Sequence, residues 1–568
     1  MKRVTLLLVL TELSCVKLPA NTITASSPML RDVQAAVNSA RNDDTVIIPA
    51  GTATWTSTLL INRGITLMGQ TTTDPVAGTA IDKTIIQDNV TRGAGGTPLI
   101  KVQSVLGQTY RISGLTFQAY PGMTKNNFNG AVMLRGNSHA VRLDHCHFQP
   151  MPAQAQYVGV WGPIHGVADH NVMECPHVQS FLINMGDWPN PDGSAGQFGD
   201  GSWAAPTSLG SEKFFFIEDN YIKNVTGTPA FPKFDQRGGN VDCTWGGRYV
   251  FRHNHCYETQ LQNHGTEGGR FRGCRAREIY NNDFHYAHTH PAGGSRSGVT
   301  ITHDNTWDGV QPPKGIVLEA YRVFTSEPTW GGGSGDNPWD TNDTRSGPFS
   351  ENGFSYNPVN GLYESGTAAN GTNSTTIVDP TKNWKPNQWV NFAVKRVANN
   401  TIAQITSNTS NTLTVYYYGS GRSQANWTAG DQYQIRRPSI LLDQPGRGQS
   451  DLITGMTPAN KTAGKATWPH NALEPSYSWN DKYTPTGASV DFKVHPSNIN
   501  LQKEGRDYYN NTPMPGYKPY IYPHPLVSGL APQRSSRRSL DIFPTRACFK
   551  LFDQPFYCII AHHYTSRE

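Results

Sequence analysis

The sequence predicts an all-β fold, a right-handed parallel β-helix, and three observations carry that expectation. Only 16% of the 568 residues are charged, whereas Gly contributes 55, Pro 39 and the aromatic residues 10%. That is a turn-rich β profile, not a helical one. Short β-type runs recur between Gly- and Asn-containing turns, beginning with TLLINRGITLMG, KTIIQD, PLIKV, YRISGLTF and GAVMLRG. Six later runs share one ending. VRLDHCHF (141–148), GVADHNVM (166–173), FFIEDNYI (215–222), VFRHNHCY (250–257), EIYNNDF (278–284) and TITHDNTW (300–307) each alternate apolar residues, meet a polar Asp, His or Asn pair, and return to apolar.

The spacing of that ending sets the coil. Counted at the Cys or Asn after each polar corner, positions 146, 171, 220, 254, 282 and 305 are separated by 25, 49, 34, 28 and 23 residues. A strand-and-turn unit repeating at about 23 to 28 residues, with insertions, is the mark of a β-solenoid. Asn220, Asn254 and Asn282 are the candidates for amides stacked coil on coil and bonded to backbone groups at the turn. An antiparallel sandwich would show Asn-Gly hairpins between alternating runs, and these are sparse. His145, His170 and His253 recur at the same corner, which reads as a structural stack and not as a metal site.

Taken in order, MKRVTLLLVL is a basic start followed by an apolar stretch, as in a secretory leader, and 1–25 is assigned to a signal peptide. Leu30, Val33, Val37 and Ala40 then fall at helical spacing after Pro28, predicting one amphipathic helix that caps the solenoid's open end. The β-helix is expected over 26–365, with irregular Gly-, Pro- and Trp-rich insertions at 185–212 and 327–347. At 366–436 Thr, Val and aromatics alternate with polar residues, predicting a small antiparallel β module. The stretch 437–527 supplies the C-terminal part of the β-helix and a Pro/Tyr-rich closing segment, and 528–568 a basic tail of different rhythm.

A formal net charge of +5, with Lys and Arg interspersed among acidic residues, does not point to nucleic acid. It is compatible with an acidic glycan, for which a local basic groove suffices. No stretch after the leader approaches the roughly 20 apolar residues of a membrane span. A secreted monomer is expected. The eight cysteines form no CxxC, so those at 146, 175, 256 and 274 are read as buried small residues or disulfides between stacked coils.

VRLDHCHF resembles an element of pectate lyases, and RYVFRHNHCYE through HGTEGGRFRGCRAREIYNN resembles the region of that family in which a repeat coil leads to an Arg-containing strand and an Asn corner. The resemblance to the pectin-lyase-like group covers roughly 110–325. It implies a β-elimination lyase, in which a base removes the proton beside a uronate carboxylate while cations neutralise that carboxylate. By position, Arg272 stands at the family's second arginine and Glu267 where its catalytic arginine would be. The calcium carboxylates would fall near Asn129, Gln179 and Asn184, all amides here, leaving Ca²⁺ open as a weakly held cofactor.

The chemistry-bearing cluster is then His264, Glu267, Arg270, Arg272 and Arg275 on one coil, with Lys233, Asp235, Arg237 and Asp242 on the coil before. His264 or Glu267 would act as base, with Arg270, Arg272 or Lys233 holding a substrate carboxylate. Trp188, Trp203 and Trp330 are candidate sugar platforms. Three functions fit: a lyase on a uronic-acid polysaccharide; a glycoside hydrolase using Glu267 with Asp235 or Asp187; and a noncatalytic glycan-binding surface protein.

Overall fold

A computed structural model of the protein describes residues 19–91, 97–122, 130–152, 155–265, 272–310, 313–319, 350–351, 354–355, 362–390, 392–417, 426–436, 443–452, 471–495 and 502–529. Within them the chain winds through three long parallel sheets. Ser138–Asp144 lies in the first sheet, and a corner at His145 and Cys146 turns it into His147–Phe148 of the second. Gln156–Trp161 forms the third, and Ile164–Asp169 returns to the first beside Ser138–Asp144. The first sheet has twelve strands and the second eleven. The third runs six strands from Leu59–Ile61 to Val241–Thr244 and continues through parallel bridges at Leu261 to Gly293–Ser295, Ile316–Leu318 and Lys493–Val494. The fold is the parallel β-helix that the repeat predicts.

The strands are short and bury alternate residues, as in Thr84–Asp88 and Ile100–Ser104. The inward residues form one core along the solenoid. In it aromatic rings stack between coils, Phe117 on Phe148 at 4.7 Å and Phe284 on Trp307 at 4.9 Å between centroids.

The corner between the first and second sheets follows one rule. His145, His170, Asp219, His253, Asn281, Asp304 and Asn480 all take φ between 51° and 56°, a left-handed conformation that Asn, Asp and His adopt more readily than other non-Gly residues. The next residue is the ladder position. Asn171, Asn220, Asn254, Asn282 and Asn305 are buried there, and each side-chain oxygen accepts the backbone N–H of the ladder residue one coil earlier at 3.0 Å. Each amide nitrogen donates back to a carbonyl of the preceding coil, those of Leu143, Ala168, Ile217, Phe251 and Ile279. Asp481 ends the ladder, accepting from the Asn305 N–H and amide at 3.0 and 2.8 Å and from the Thr302 hydroxyl at 2.6 Å. Burial pushes its carboxyl up to about 7.

The corner histidines are structural. His145 stacks on His170 at 5.1 Å, and their Nδ1 atoms bond Asp144 and Asp169 at 2.7 and 2.8 Å. His253 stacks on Tyr522 at 3.7 Å.

The helix Leu30–Ser39 packs Val33, Ala36 and Val37 against the first coils. Thr22–Thr24, which the sequence reading placed inside the leader, is instead the first strand of the first sheet, paired with Thr45–Ile47. Residues 1–18 lie outside the described residues, as do 530–568 of the tail. The six antiparallel strands between Leu362 and Arg436 have their own core, including Trp384, Trp389, Trp427 and Tyr433. They interrupt the solenoid between Ile316–Leu318 and Ser476–Trp479, and the latter rejoins the first sheet beside Val299–His303. The five described cysteines, Cys146, Cys175, Cys243, Cys256 and Cys274, are buried and free, so no disulfide joins these coils.

The closing segment covers the outside of the first sheet. Tyr520, Leu526 and Val527 pack on Phe214, Phe216, Val250 and Tyr280. Arg252, paired with Glu218, donates to the carbonyls of Tyr520 and Ile521 at 2.8 and 2.9 Å. Phe215–Glu218, Arg248–Arg252, Ala276–Tyr280 and Val299–His303 are consequently buried at every position.

Candidate active site on the third sheet

The third sheet turns one set of side chains to the core and the other outward. Val241 and Cys243 belong to the core, so Asp242 faces out. Register places Met133, Gly159, Leu182 and Asp242 in one outward row and Arg135, Trp161, Asn184 and Thr244 in the next. The connection after Leu261 then brings His264 to Asp242.

Asp242 is buried, and its carboxylate is fully engaged. One oxygen accepts from His264 Nε2 at 2.8 Å and from the Gln179 amide at 2.9 Å, and the other from the Cys243 N–H at 2.8 Å. Burial pushes this carboxyl upward, but His264 and Arg296 outweigh it and hold it below the ordinary aspartate value. Its charge therefore stands ready to orient the imidazole. The His264 side chain is 36% exposed. Its backbone is clamped between coils, the N–H donating to Cys243 O at 2.8 Å and the carbonyl accepting from the Ser297 hydroxyl at 2.6 Å and the Cys274 N–H at 3.0 Å. Arg296, at the equivalent edge one coil later, places Nη1 at 3.4 Å from His264 Nδ1. With Nε2–H directed at Asp242, Nδ1 carries the lone pair beside a guanidinium.

A second carboxylate–histidine group lies at the border between the second and third sheets. Glu258 accepts from His290 Nε2 at 2.6 Å and, on its other oxygen, from His288 Nδ1 and backbone N–H, both at 2.9 Å. Burial raises this carboxyl, and the two histidines more than reverse that, leaving it below the ordinary glutamate value. Phe234 stacks on His288 at 3.8 Å. Gln260 lies 3.1 Å from His290 Nδ1 and accepts from Gln262 at 3.0 Å, bridging toward the His264 edge.

The structure brings His264 and Asp242 together but takes Arg272 elsewhere. Arg272 is fully buried, forked onto Asp443 at 2.7 Å for both bonds and 3.3 Å from Asp200. Arg275 is equally enclosed and pairs with Glu474 at 2.9 Å. Both guanidinium groups flank the ring of Trp203, at 5.1 and 5.3 Å. Trp203 itself is fully buried and donates to Gly273 O, so it offers no face to a sugar. Trp188 is half-buried, with Arg248 over its ring at 4.4 Å.

Lys233 is exposed, and Arg237 is spent on Asp235, to which it donates at 2.6 to 3.0 Å. That guanidinium holds the Asp235 carboxyl well below the usual range. Asp187 is exposed. Glu267, Arg270, Trp330 and Asn129 lie outside the described residues.

Of the amides standing where calcium carboxylates would be, Gln179 is bonded to Asp242, and Asn184 is buried with its oxygen on the Gly186 N–H at 2.8 Å. Among the described residues no group of three or more His, Cys, Asp or Glu could hold a metal ion. Gln179 and Asn184 thus offer no carboxylate to such an ion, and the Asn184 oxygen is already engaged.

Sequence reasoning missed Arg296, the Glu258, His288 and His290 group, and the half-buried aromatic edge of Trp161, Trp245 and Phe198, whose rings lie 6.0 to 6.4 Å apart. The only advance signal for Arg296 was an arginine in GGSRSG directly after a strand.

No protein-family profile matches the chain, and neither does any curated protein. Among solved structures it is similar to a mutant of AlyGC, a PL6 family alginate lyase, at 15% identity and a TM-score of 0.30 over 52% of this chain and 40% of that one. It is also similar to ORF18 of Geobacillus virus E2, at 14% identity and a TM-score of 0.25 over 49% of this chain and 54% of that one. The matched part thus spans about half or less of either chain's length. Among the described residues no helix is long and apolar enough to cross a membrane.

Proposed function

We propose that the protein is a secreted polysaccharide lyase that cleaves a uronic-acid-containing polymer by β-elimination at the edge of the third sheet. The observation that carries this reading is the carboxylate-anchored His264 with Arg296 beside its other ring nitrogen. Arg296 pairs with the uronate carboxylate and stabilises charge developing on it. His264 Nδ1 takes the proton from the adjacent ring carbon, and Asp242 stabilises the imidazolium that forms. The electrons of that C–H bond become the ring double bond. The glycosidic oxygen departs with its bonding pair and takes a proton from solvent water, leaving an unsaturated sugar end, and the His264 imidazolium returns its proton to solvent.

A glycoside hydrolase needs one carboxyl kept protonated as general acid. Of the carboxylates named for that reading, Asp235 is held below its ordinary value by Arg237, and Glu267 lies outside the described residues.

The test is turnover of polygalacturonate and alginate, followed by ultraviolet absorbance of unsaturated ends and by reducing ends. His264→Ala is expected to lower kcat by about a hundredfold or more in molecules that still fold, with some loss of melting temperature because buried Asp242 loses a partner. Reducing ends without ultraviolet absorbance would overturn elimination, and undiminished turnover by the variant would remove His264 from the chemistry.

A further inference from the structure

We propose that the bound polymer runs from His264 along the third sheet toward the N-terminal coils, over Trp161 to a basic end formed by Arg135 and Lys101, and that these residues select an anionic chain. The inference rests on the function proposed above only for where cleavage occurs.

Its geometry follows from register. Asp242, which anchors His264, lies on the strand Val241–Thr244. Trp161 lies two strands away along the sheet and Arg135 three, both in the outward row adjacent to that of Asp242. Lys101 continues the Asp242 row one strand further, in register with Met133. Strands in a sheet are about 4.8 Å apart, so Trp161 stands about 10 Å and Arg135 about 14 Å along the solenoid from Asp242. One coil step is close to the length of a sugar residue, so a chain parallel to the axis meets one coil per sugar.

The side chains on this path suit an acidic glycan. Trp161 is half-buried, with Trp245 edge-on at 6.4 Å and 68°, a setting in which an indole face packs against the C–H face of a pyranose. On the one strand between Trp161 and Asp242 the outward positions are Leu182 in the Asp242 row and Asn184 in the Trp161 row, which put no charged side chain in the way. Arg135 is exposed and Lys101 half-buried, and neither side chain has a hydrogen bond or ion pair with a described residue. This contrasts with Arg111, Arg142, Arg252, Arg272 and Arg275, each held by a carboxylate of the fold. Arg135 and Lys101 thus form a free cationic pair on adjacent strands, complementary to carboxylates spaced along a polymer.

The experiment is retardation of the full chain in native gels containing polygalacturonate, alginate or neutral dextran, a readout that needs no turnover. Wild type and His264→Ala should be retarded alike by one or both acidic polymers and not by dextran. Arg135→Ala combined with Lys101→Ala should weaken retention about tenfold. Trp161→Ala should do the same while Trp161→Phe retains most of it, which separates a lost platform from a disturbed fold. Wild-type retention by the Arg135/Lys101 variant or by Trp161→Ala would overturn the proposal, as would equal retention on dextran. Loss of retention in these variants, with no turnover by wild type, would uphold the groove and overturn the lyase.

Discussion

Two borders of the same coil obey different rules. Between the first and second sheets the chain turns in two residues at every ladder corner, one left-handed and one buried. Between the third and first sheets it crosses in 162–163 on one coil, but takes 185–214, 245–247, 262–275 and 296–298 on the following ones. At the first border buried backbone groups must be paired inside a tight turn, so the residue type is dictated. At the second the chain can leave the stack, so its residues are free to carry chemistry. His264 and Arg296 lie on this freer border and Phe198 in its longest described insertion, while Asn254 and its ladder partners lie on the fixed one.

The sharpest way to break that division is Arg272, a charged residue on the variable border that is nevertheless structural. Arg272→Met leaves Asp443 and Asp200 buried without their cation. It should cost about 3 to 5 kcal/mol in urea unfolding, while molecules still folded keep their turnover. A variant as stable as wild type but inactive would return Arg272 to the active site.

Next in size is the ladder. Asn254→Ala strips the acceptor from the Asn220 N–H and the donor from Ile217 O. With buried groups left unpaired, a loss of about 3 kcal/mol is expected, read as a lower melting temperature with unchanged affinity for polymer. A wild-type melt would mean that the ladder is ornament.

The smallest effect is expected where the ladder ends in a carboxyl. The Asp481 value of about 7 in the folded chain lies above the ordinary aspartate value of 3.8. The folded state therefore keeps this proton while the unfolded chain releases it. Its contribution is fully present below about pH 4 and is lost as pH rises toward and through 7. Asp481→Asn keeps the oxygen that Asn305 needs and removes the charge, so it should raise the melting temperature at pH 8 and change it little at pH 5. Equal shifts at both values would contradict the buried-carboxyl account.

The Asn positions, the capping helix and the antiparallel module were legible in the sequence because each is a local requirement repeated or concentrated in a short window. The site was legible in part. His264 and Asp242 were both singled out, being polar residues beside Gly-rich turns on neighbouring coils. Arg272 and Arg275, expected beside them, are instead bonded within the fold: Arg272 meets Asp443 across 171 positions, and Arg275 meets Glu474 across 199. Trp203 failed as a platform for the same reason, since the two arginines that enclose it are held from a distant stretch of chain. Nothing local distinguishes a buried arginine from an exposed one when its counter-charge arrives after an inserted module.

By itself the sequence determined the coil, its corner and the identity of the residues that pair the backbone there, because a two-residue turn with buried N–H groups admits few side chains. Tertiary structure decided which arginines are free, which aromatic rings keep an open face and which histidine faces a guanidinium. Those outcomes depend on where separate coils and the returning C-terminal segment come to rest, and the burial of a charge is settled only when its distant partner docks.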